Sequence, residues 1–146
     1  MRKYVFISIG GIFGAILRYL VRSIPIDNYH GNIPLNTLII NITGSFILAF
    51  VLTAANDVLK LNADLKLGIA TGFIGAYTTF STLCKEMVNL LTLGYYSEAV
   101  SYVTVSILFG IAGVYSGILL ARKTVRSVKK DNRNAADKTF PKKGVK

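Results

Sequence analysis

Four stretches of this chain, residues 4–23, 34–55, 66–93 and 97–121, are each long and apolar enough to cross a bilayer. A helix crossing about 30 Å of hydrocarbon needs about 20 mostly apolar residues. Hydrocarbon offers the backbone no water, so a span must satisfy its own N–H and C=O groups, as a helix does. The expected fold is therefore an all-α membrane protein with four transmembrane helices in one domain, residues 1–122. A basic tail, residues 123–146, follows, and its polar composition predicts disorder. The chain has 146 residues, 52% of them apolar and only 16% charged, which is too apolar for an ordinary soluble domain of this size. Its start, Met1-Arg2-Lys3 before an apolar run, looks like a signal peptide but lacks a small-residue cleavage site. Gly10, Gly11, Gly14 and Arg18 interrupt that run, so it reads as the first span.

The charge is unevenly placed. Of 17 Lys and Arg residues, ten lie at or after Arg122, and the net charge is +10. A basic chain can bind nucleic acid, but this one has no aromatic-basic repeat or nucleic-acid module, and no nucleic-acid partner is expected. The tail is expected instead to set topology and to touch anionic membrane lipid. An even number of spans puts both termini on one side, with Arg2, Lys3, Lys60, Lys66 and the tail. Only Arg18 and Arg22 fall on the other side, so both termini are expected in the cytoplasm.

The third segment is too long for one simple span and holds an unusual run, Gly72-Phe73-Ile74-Gly75-Ala76-Tyr77-Thr78-Thr79-Phe80-Ser81-Thr82. Gly72 and Gly75 loosen a helix there, and four hydroxyls surround the Phe80 ring. Broken backbone and clustered hydroxyls are tolerated in a membrane only where they are buried in protein or line a polar path. The third helix is therefore expected to be broken, and the break to serve a small ion or solute. Small residues spaced four apart, at Gly10 and Gly14, Gly68 and Gly72, and Gly113 and Gly117, predict close helix contacts.

Each polar candidate has two readings. The Asn41 amide is costly in hydrocarbon without partners, so it either bonds another helix or donates to a solute. Thr37 lies one turn before Asn41 on the same face, and Tyr102 shares a face with Ser106. These residues make a polar stripe, or their hydroxyls bond back to their own helices. Phe80 is either core packing or an aromatic edge, whose C–H groups face an anion. Arg18 either snorkels to the interface or holds an anion near a pore mouth. Glu86 reads as an ion pair or helix contact rather than a catalytic group. The single cysteine, Cys84, excludes an intrachain disulfide and reads as a small buried hydrophobe, and His30 stands alone without a second metal ligand. No Ser-His-Asp set, metal cluster, phosphate loop or carboxylate pair assembles, so no enzyme is expected. A small proton-coupled multidrug exporter also has four spans, but it needs a membrane-embedded carboxylate. The interiors of the first two spans have none, and Glu86 lies beyond the break.

Three motifs in order resemble the Fluc/CrcB family of fluoride channels over residues 8 to 121. They are Gly10-Gly11-Ile12-Phe13-Gly14-Ala15-Ile16-Leu17-Arg18-Tyr19, then Thr37-Leu38-Ile39-Ile40-Asn41-Ile42-Thr43-Gly44-Ser45-Phe46, then Gly72 through Thr82 with Glu86. The resemblance implies a multi-pass protein of the bacterial plasma membrane that passively exports fluoride and so confers fluoride resistance. It implies an antiparallel, dual-topology dimer of four-helix subunits with two pores lined by both. In the pore, Asn41 would donate to fluoride, Phe80 would offer its ring edge, and Tyr102 and Ser106 would continue a polar track. Thr37, Ser81 and Thr82 supply further pore hydroxyls, and Arg18 would stand at the aqueous vestibule. Backbone carbonyls of Gly75 and Thr78 would hold a structural sodium ion on the dimer axis. Fluoride is small and tightly hydrated, and neutral donors replace its water without a fixed charge to trap it.

Two positions depart from the family pattern. A second phenylalanine usually follows the first by three residues, and here it is Leu83, which has no ring edge. Asn36 replaces a glycine common before the helix-two threonine. The charge bias adds to this, because an opposed homodimer needs a chain that inserts both ways. The chain is expected to pair with a related subunit of opposite bias, with a homodimer as the alternative. The alternative function is a non-conducting or partly conducting structural subunit of such a heterodimer.

Overall fold

A computed structural model of the protein describes residues 1–25, 31–55 and 61–139. His30, Lys60 and the last seven residues of the basic tail lie outside the described residues. Four helical spans are long and apolar enough to cross a membrane, Arg2–Arg22, Leu35–Ala54, Ala63–Thr92 and Tyr96–Lys130. Helix α1 is Arg2–Arg22 and α2 is Leu35–Ala54. The third span begins with α3, Ala63–Leu67, whose N-cap Asn62 accepts the Leu65 N–H at 2.7 Å. It widens into a π-helical stretch, Gly68–Ile74, and closes with α4, Gly75–Tyr77. Thr78 and Thr79 are extended, at ψ 159° and 115°, and α5, Phe80–Thr92, restarts the helix. The last helix, α6, is Tyr96–Thr139.

The break expected in the third span is thus present, though the glycines before it act differently from the expectation. Gly72 is a contact point: a Cβ there would lie 2.5 Å from the Ile7 carbonyl oxygen. Gly68 faces Phe6 in the same way, and a Cβ on Gly10 would run into the Gly68 carbonyl oxygen. The first two glycine pairs therefore face each other and let α1 lie against the π-helical stretch. The third pair lies on α6 and meets α2, where a Cβ on Gly117 would sit 2.5 Å from the Phe46 carbonyl oxygen.

The turn between α5 and α6 is set by Gly94, at φ +82°. Its N–H bonds the Leu91 carbonyl at 3.1 Å, and the Tyr95 N–H bonds Leu90 at 2.9 Å. These two bonds close the last turn of α5 in the way a left-handed glycine permits. Beside this turn lies a buried cluster of Leu90, Ala99 and Tyr102, packed by Ile33, Leu38, Leu83, Met87 and Leu91. Elsewhere large apolar side chains such as Phe13, Ile16, Leu108 and Phe109 point outward, as lipid-facing residues do.

The tail is the main difference from expectation. Disorder is predicted from residue 123, yet α6 continues to Thr139. The run from Arg122 to Thr139 contains no glycine or proline, and Lys, Arg and Ala are good helix formers. Ala121 and Val125 are buried, so packing also carries the helix past the membrane boundary.

Candidate functional site

Asn41, in the first half of α2, holds the break together. Its Oδ1 accepts the Thr79 N–H at 2.8 Å, and its Nδ2 donates to the Thr79 carbonyl at 3.0 Å. One amide thus serves both backbone groups of a residue outside any helix, in a span where an unpaired group is costly. The Thr79 side chain also faces inward. It caps α5 by accepting the Thr82 N–H at 3.2 Å, donates to Thr82 Oγ1 at 2.9 Å, and sits 3.3 Å from Ser81 Oγ.

An open cleft of about 290 Å³ lies against this break, lined by Asn41, Gly44, Ser45, Leu48, Ile74, Thr78, Thr79 and Phe80. Phe80 stands at its edge with 78% of its surface exposed, so the ring is not core packing within this chain. Several hydroxyls nearby follow the plainer reading. Ser45 donates to the Asn41 carbonyl, Thr78 to Ile74, and Ser106 to Tyr102, each four residues back. Thr43 bonds its own helix and also meets the Tyr77 hydroxyl at 2.9 Å.

A second cleft, about 410 Å³, opens at the end of α1 and is lined by Arg22, Ser23, Ile24, Pro25, Pro34, Leu35, Asn36, Thr37 and Glu86. Glu86 is its organiser. Thr37 Oγ1 donates to Glu86 Oε1 at 3.0 Å, and the Tyr102 hydroxyl donates to Oε2 at 2.9 Å. Both donors are buried. Arg22 approaches Oε1 to 3.6 Å from a more exposed position. Asn36 fixes the end of α1 by donating to the Arg22 and Ile24 carbonyls at 2.9 and 3.1 Å.

The two clefts are one turn apart on α2. Thr37 lines one and Asn41 the other, about 6 Å along the helix axis. On α5, Phe80 and Glu86 make the same step in the opposite sense, over about 9 Å. The arrangement places hydroxyl and amide groups between a charged cleft and an aromatic edge.

A family model described as CrcB-like protein, Camphor Resistance (CrcB), matches residues 5–118. The chain belongs to this family. Among CrcB relatives, "Fluoride-specific ion channel FluC" of Thermosipho melanesiensis is 37% identical over 121 residues, covering 82% of this chain and 96% of the relative. "Fluoride-specific ion channel FluC 1" of Bacillus anthracis is 41% identical over 120 residues, 81% of this chain and 86% of the relative. Its namesake in Staphylococcus aureus strain NCTC 8325 is 38% identical over 118 residues, 81% and 95%. These relatives are named as channels, in keeping with the expectation that the chain is not an enzyme.

The CrcB match runs from within α1 through the break into α6 and leaves the basic extension of α6, from Arg122 on, outside. Within the CrcB chain, the expected residues fall into separate groups. Asn41, Phe80, Ser81 and Thr82 gather at the break, while Thr37 and Tyr102 gather on Glu86. Ser106 bonds its own helix beside Tyr102. Arg18, expected at the vestibule, does not line the second cleft, and Arg22, one turn later, does. The reading of Glu86 as an ion pair or helix contact agrees with its Arg22, Thr37 and Tyr102 partners, whereas those partners, and Asn36 as the tie on α1, were not read from the sequence. A lone carboxylate within an apolar span was the available signal for Glu86.

Proposed function

We propose that this protein is a subunit of a passive, fluoride-selective channel that lets cytoplasmic fluoride leave the cell and so confers fluoride resistance. The observation that carries the reading is the break at Thr78 and Thr79, clamped by Asn41, with an exposed Phe80 ring beside a polar-edged cleft. The names of the CrcB relatives support fluoride as the ion. Hydrogen fluoride crosses membranes as a neutral molecule and ionises inside, so a passive exit for the anion suffices. The Asn41 amide, the Ser81 and Thr82 hydroxyls and the Phe80 edge are the groups offered to the ion, while the Thr37 and Tyr102 hydroxyls, donated to Glu86, and the Ser106 hydroxyl, donated to the Tyr102 carbonyl, serve it by exchanging those bonds. Glu86 and Arg22 govern its mouth. The multidrug-exporter reading draws no support from relatives named as fluoride channels.

The working unit in this reading is a pair of subunits in opposite orientations. An aromatic ring exposed at the break is half a pore wall, and an opposed second subunit supplies the other half. The pair sits in the bacterial plasma membrane with the termini of this chain in the cytoplasm, the side its charge bias selects. The break also suits a structural sodium ion. Gly75 is exposed, and the Thr79 N–H that would continue the ladder to it is turned to Asn41, so carbonyls at Gly75 and Thr78 are hard oxygen donors available to a small cation. The carbonyls would anchor the ion, and its charge would tie the two breaks together.

A second reading makes the chain a non-conducting or partly conducting partner in a heterodimer. Leu83 favours it, since it packs with Tyr102 where the family pattern has a second aromatic ring. Efflux of fluoride from liposomes holding the purified chain alone, with chloride as the control, tests both. Rapid fluoride-selective efflux establishes the channel and removes the need for a different partner. Efflux only after a related subunit is added supports the heterodimer, and Leu83→Phe should then raise the flux of the pair. No efflux in either preparation refutes the fluoride reading.

A further inference from the structure

Helix α6 is 44 residues long, about 66 Å at 1.5 Å per residue, twice the hydrocarbon thickness of a bilayer. Its basic residues begin at Arg122, where the apolar run of residues 97–121 ends. At about 100° per residue, Arg122, Lys123, Arg126, Lys130 and Arg133 fall within an arc of about 100°. All five are exposed, and none has an acidic partner among the described residues. Ala121, Val125 and Val128 fall on the far side, and the first two are buried. The apolar side thus fixes the rotation of the helix and presents the basic side outward. This stripe lies wholly outside the part of the chain that the CrcB family model covers, residues 5–118.

We propose that the stripe is a binding surface for anionic phospholipid headgroups of the leaflet from which α6 emerges. Arg122, Lys123 and Arg126 stand within about 6 Å of the end of the apolar span along the axis, at headgroup depth. Four to eight basic residues directly after a span are the recognised signature of such a surface. Lys130 and Arg133 stand further out, and their long side chains reach back toward the phosphates. Nucleic acid and acidic proteins are weaker fits, since the innermost three cations lie in the headgroup layer. The proposal rests on the span and its extension, and it stands whether or not the chain conducts fluoride.

The test uses the full chain in nanodiscs of phosphatidylcholine with a minor fraction of phosphatidylglycerol. After a delipidating detergent wash, the retained lipids are identified by mass spectrometry. Each residue held at the headgroup layer contributes about fivefold in preference, so phosphatidylglycerol should be retained at least tenfold above its bulk ratio. Arg122→Gln/Lys123→Gln/Arg126→Gln should bring retention down to the bulk ratio. The charge-preserving Arg122→Lys/Arg126→Lys should keep the enrichment, which separates charge from folding. Retention at the bulk ratio by the unaltered chain, or full enrichment in the triple glutamine variant, overturns the proposal. So does tight binding of a short RNA to nanodiscs lacking phosphatidylglycerol when no lipid enrichment is found.

Discussion

Replacing Asn41 with alanine should destabilise the protein more than any other single truncation at the first cleft. The substitution strips the partners from both the Thr79 N–H and the Thr79 carbonyl, at 2.8 and 3.0 Å. Thr79 is only 8% exposed, so neither group finds bulk water easily. An unsatisfied buried backbone group costs about 1–3 kcal/mol. Two of them give about 2–6 kcal/mol, and the open cleft lets some water in, which narrows the expectation to about 2–4 kcal/mol. Ser45→Ala is the matched control, because Ser45 lines the same cleft but bonds only its own helix. Its loss should stay within about 0.5 kcal/mol. Reversible unfolding in mixed micelles, followed by far-ultraviolet circular dichroism, gives both values. An Asn41→Ala protein within about 1 kcal/mol of the parent would show that the amide is not what holds the break, and the clamp argument would fail. Fluoride efflux measured on a folded Asn41→Ala protein then shows what the amide does for the ion apart from the fold.

Two further outcomes follow from the packing and from the Glu86 hub. Glu86→Ala leaves the buried Thr37 and Tyr102 hydroxyls without an acceptor and should cost about 2–4 kcal/mol in the same unfolding assay. Glu86→Gln keeps one acceptor oxygen but turns an NH2 donor toward the other buried hydroxyl and loses the 3.6 Å contact with half-exposed Arg22, so it should cost about 1–3 kcal/mol, less than Glu86→Ala; equal losses would show that the remaining amide oxygen does not organise the cluster. Gly72→Ala forces a methyl group to within 2.5 Å of the Ile7 carbonyl oxygen and should cost about 1–3 kcal/mol. Gly11→Ala, where a Cβ meets nothing within 4 Å, should be neutral or slightly stabilising, and a reversed order would refute the glycine contact between α1 and the third span.

The spans and the break were legible because membrane burial writes itself locally, as runs of apolar residues and their interruption. The glycine pairs were legible for the same reason, since small residues one turn apart are useful mainly where backbones touch. The partners of the polar groups were less legible. Thr37 and Asn41 share a face of α2, yet one turns to Glu86 and the other to Thr79, forty-nine and thirty-eight residues away along the chain. Nothing local to α2 encodes that division. Arg18 and Arg22 are likewise one turn apart, and the fold places only the second beside the cleft. The helical extension was hidden by its charge, which suggests disorder unless one notices the apolar side that Ala121 and Val125 supply.

The interruption at Thr78 and Thr79 also has an electrical polarity. The chain before it is helical from Ala63 to Tyr77 and ends there with carbonyls pointing onward, a partial negative charge. Two residues later α5 begins with its N–H groups pointing back, a partial positive charge. Two opposite poles therefore meet within a few ångströms in a low-dielectric slab, with Gly75 on the negative side and the Phe80 end of the cleft on the positive side. A continuous helix would have carried both poles out to the membrane surfaces and left its middle electrically quiet. By folding the third span as two helices, the chain moves a source of field to the depth where a bare ion is most costly, without burying a single formal charge at the break.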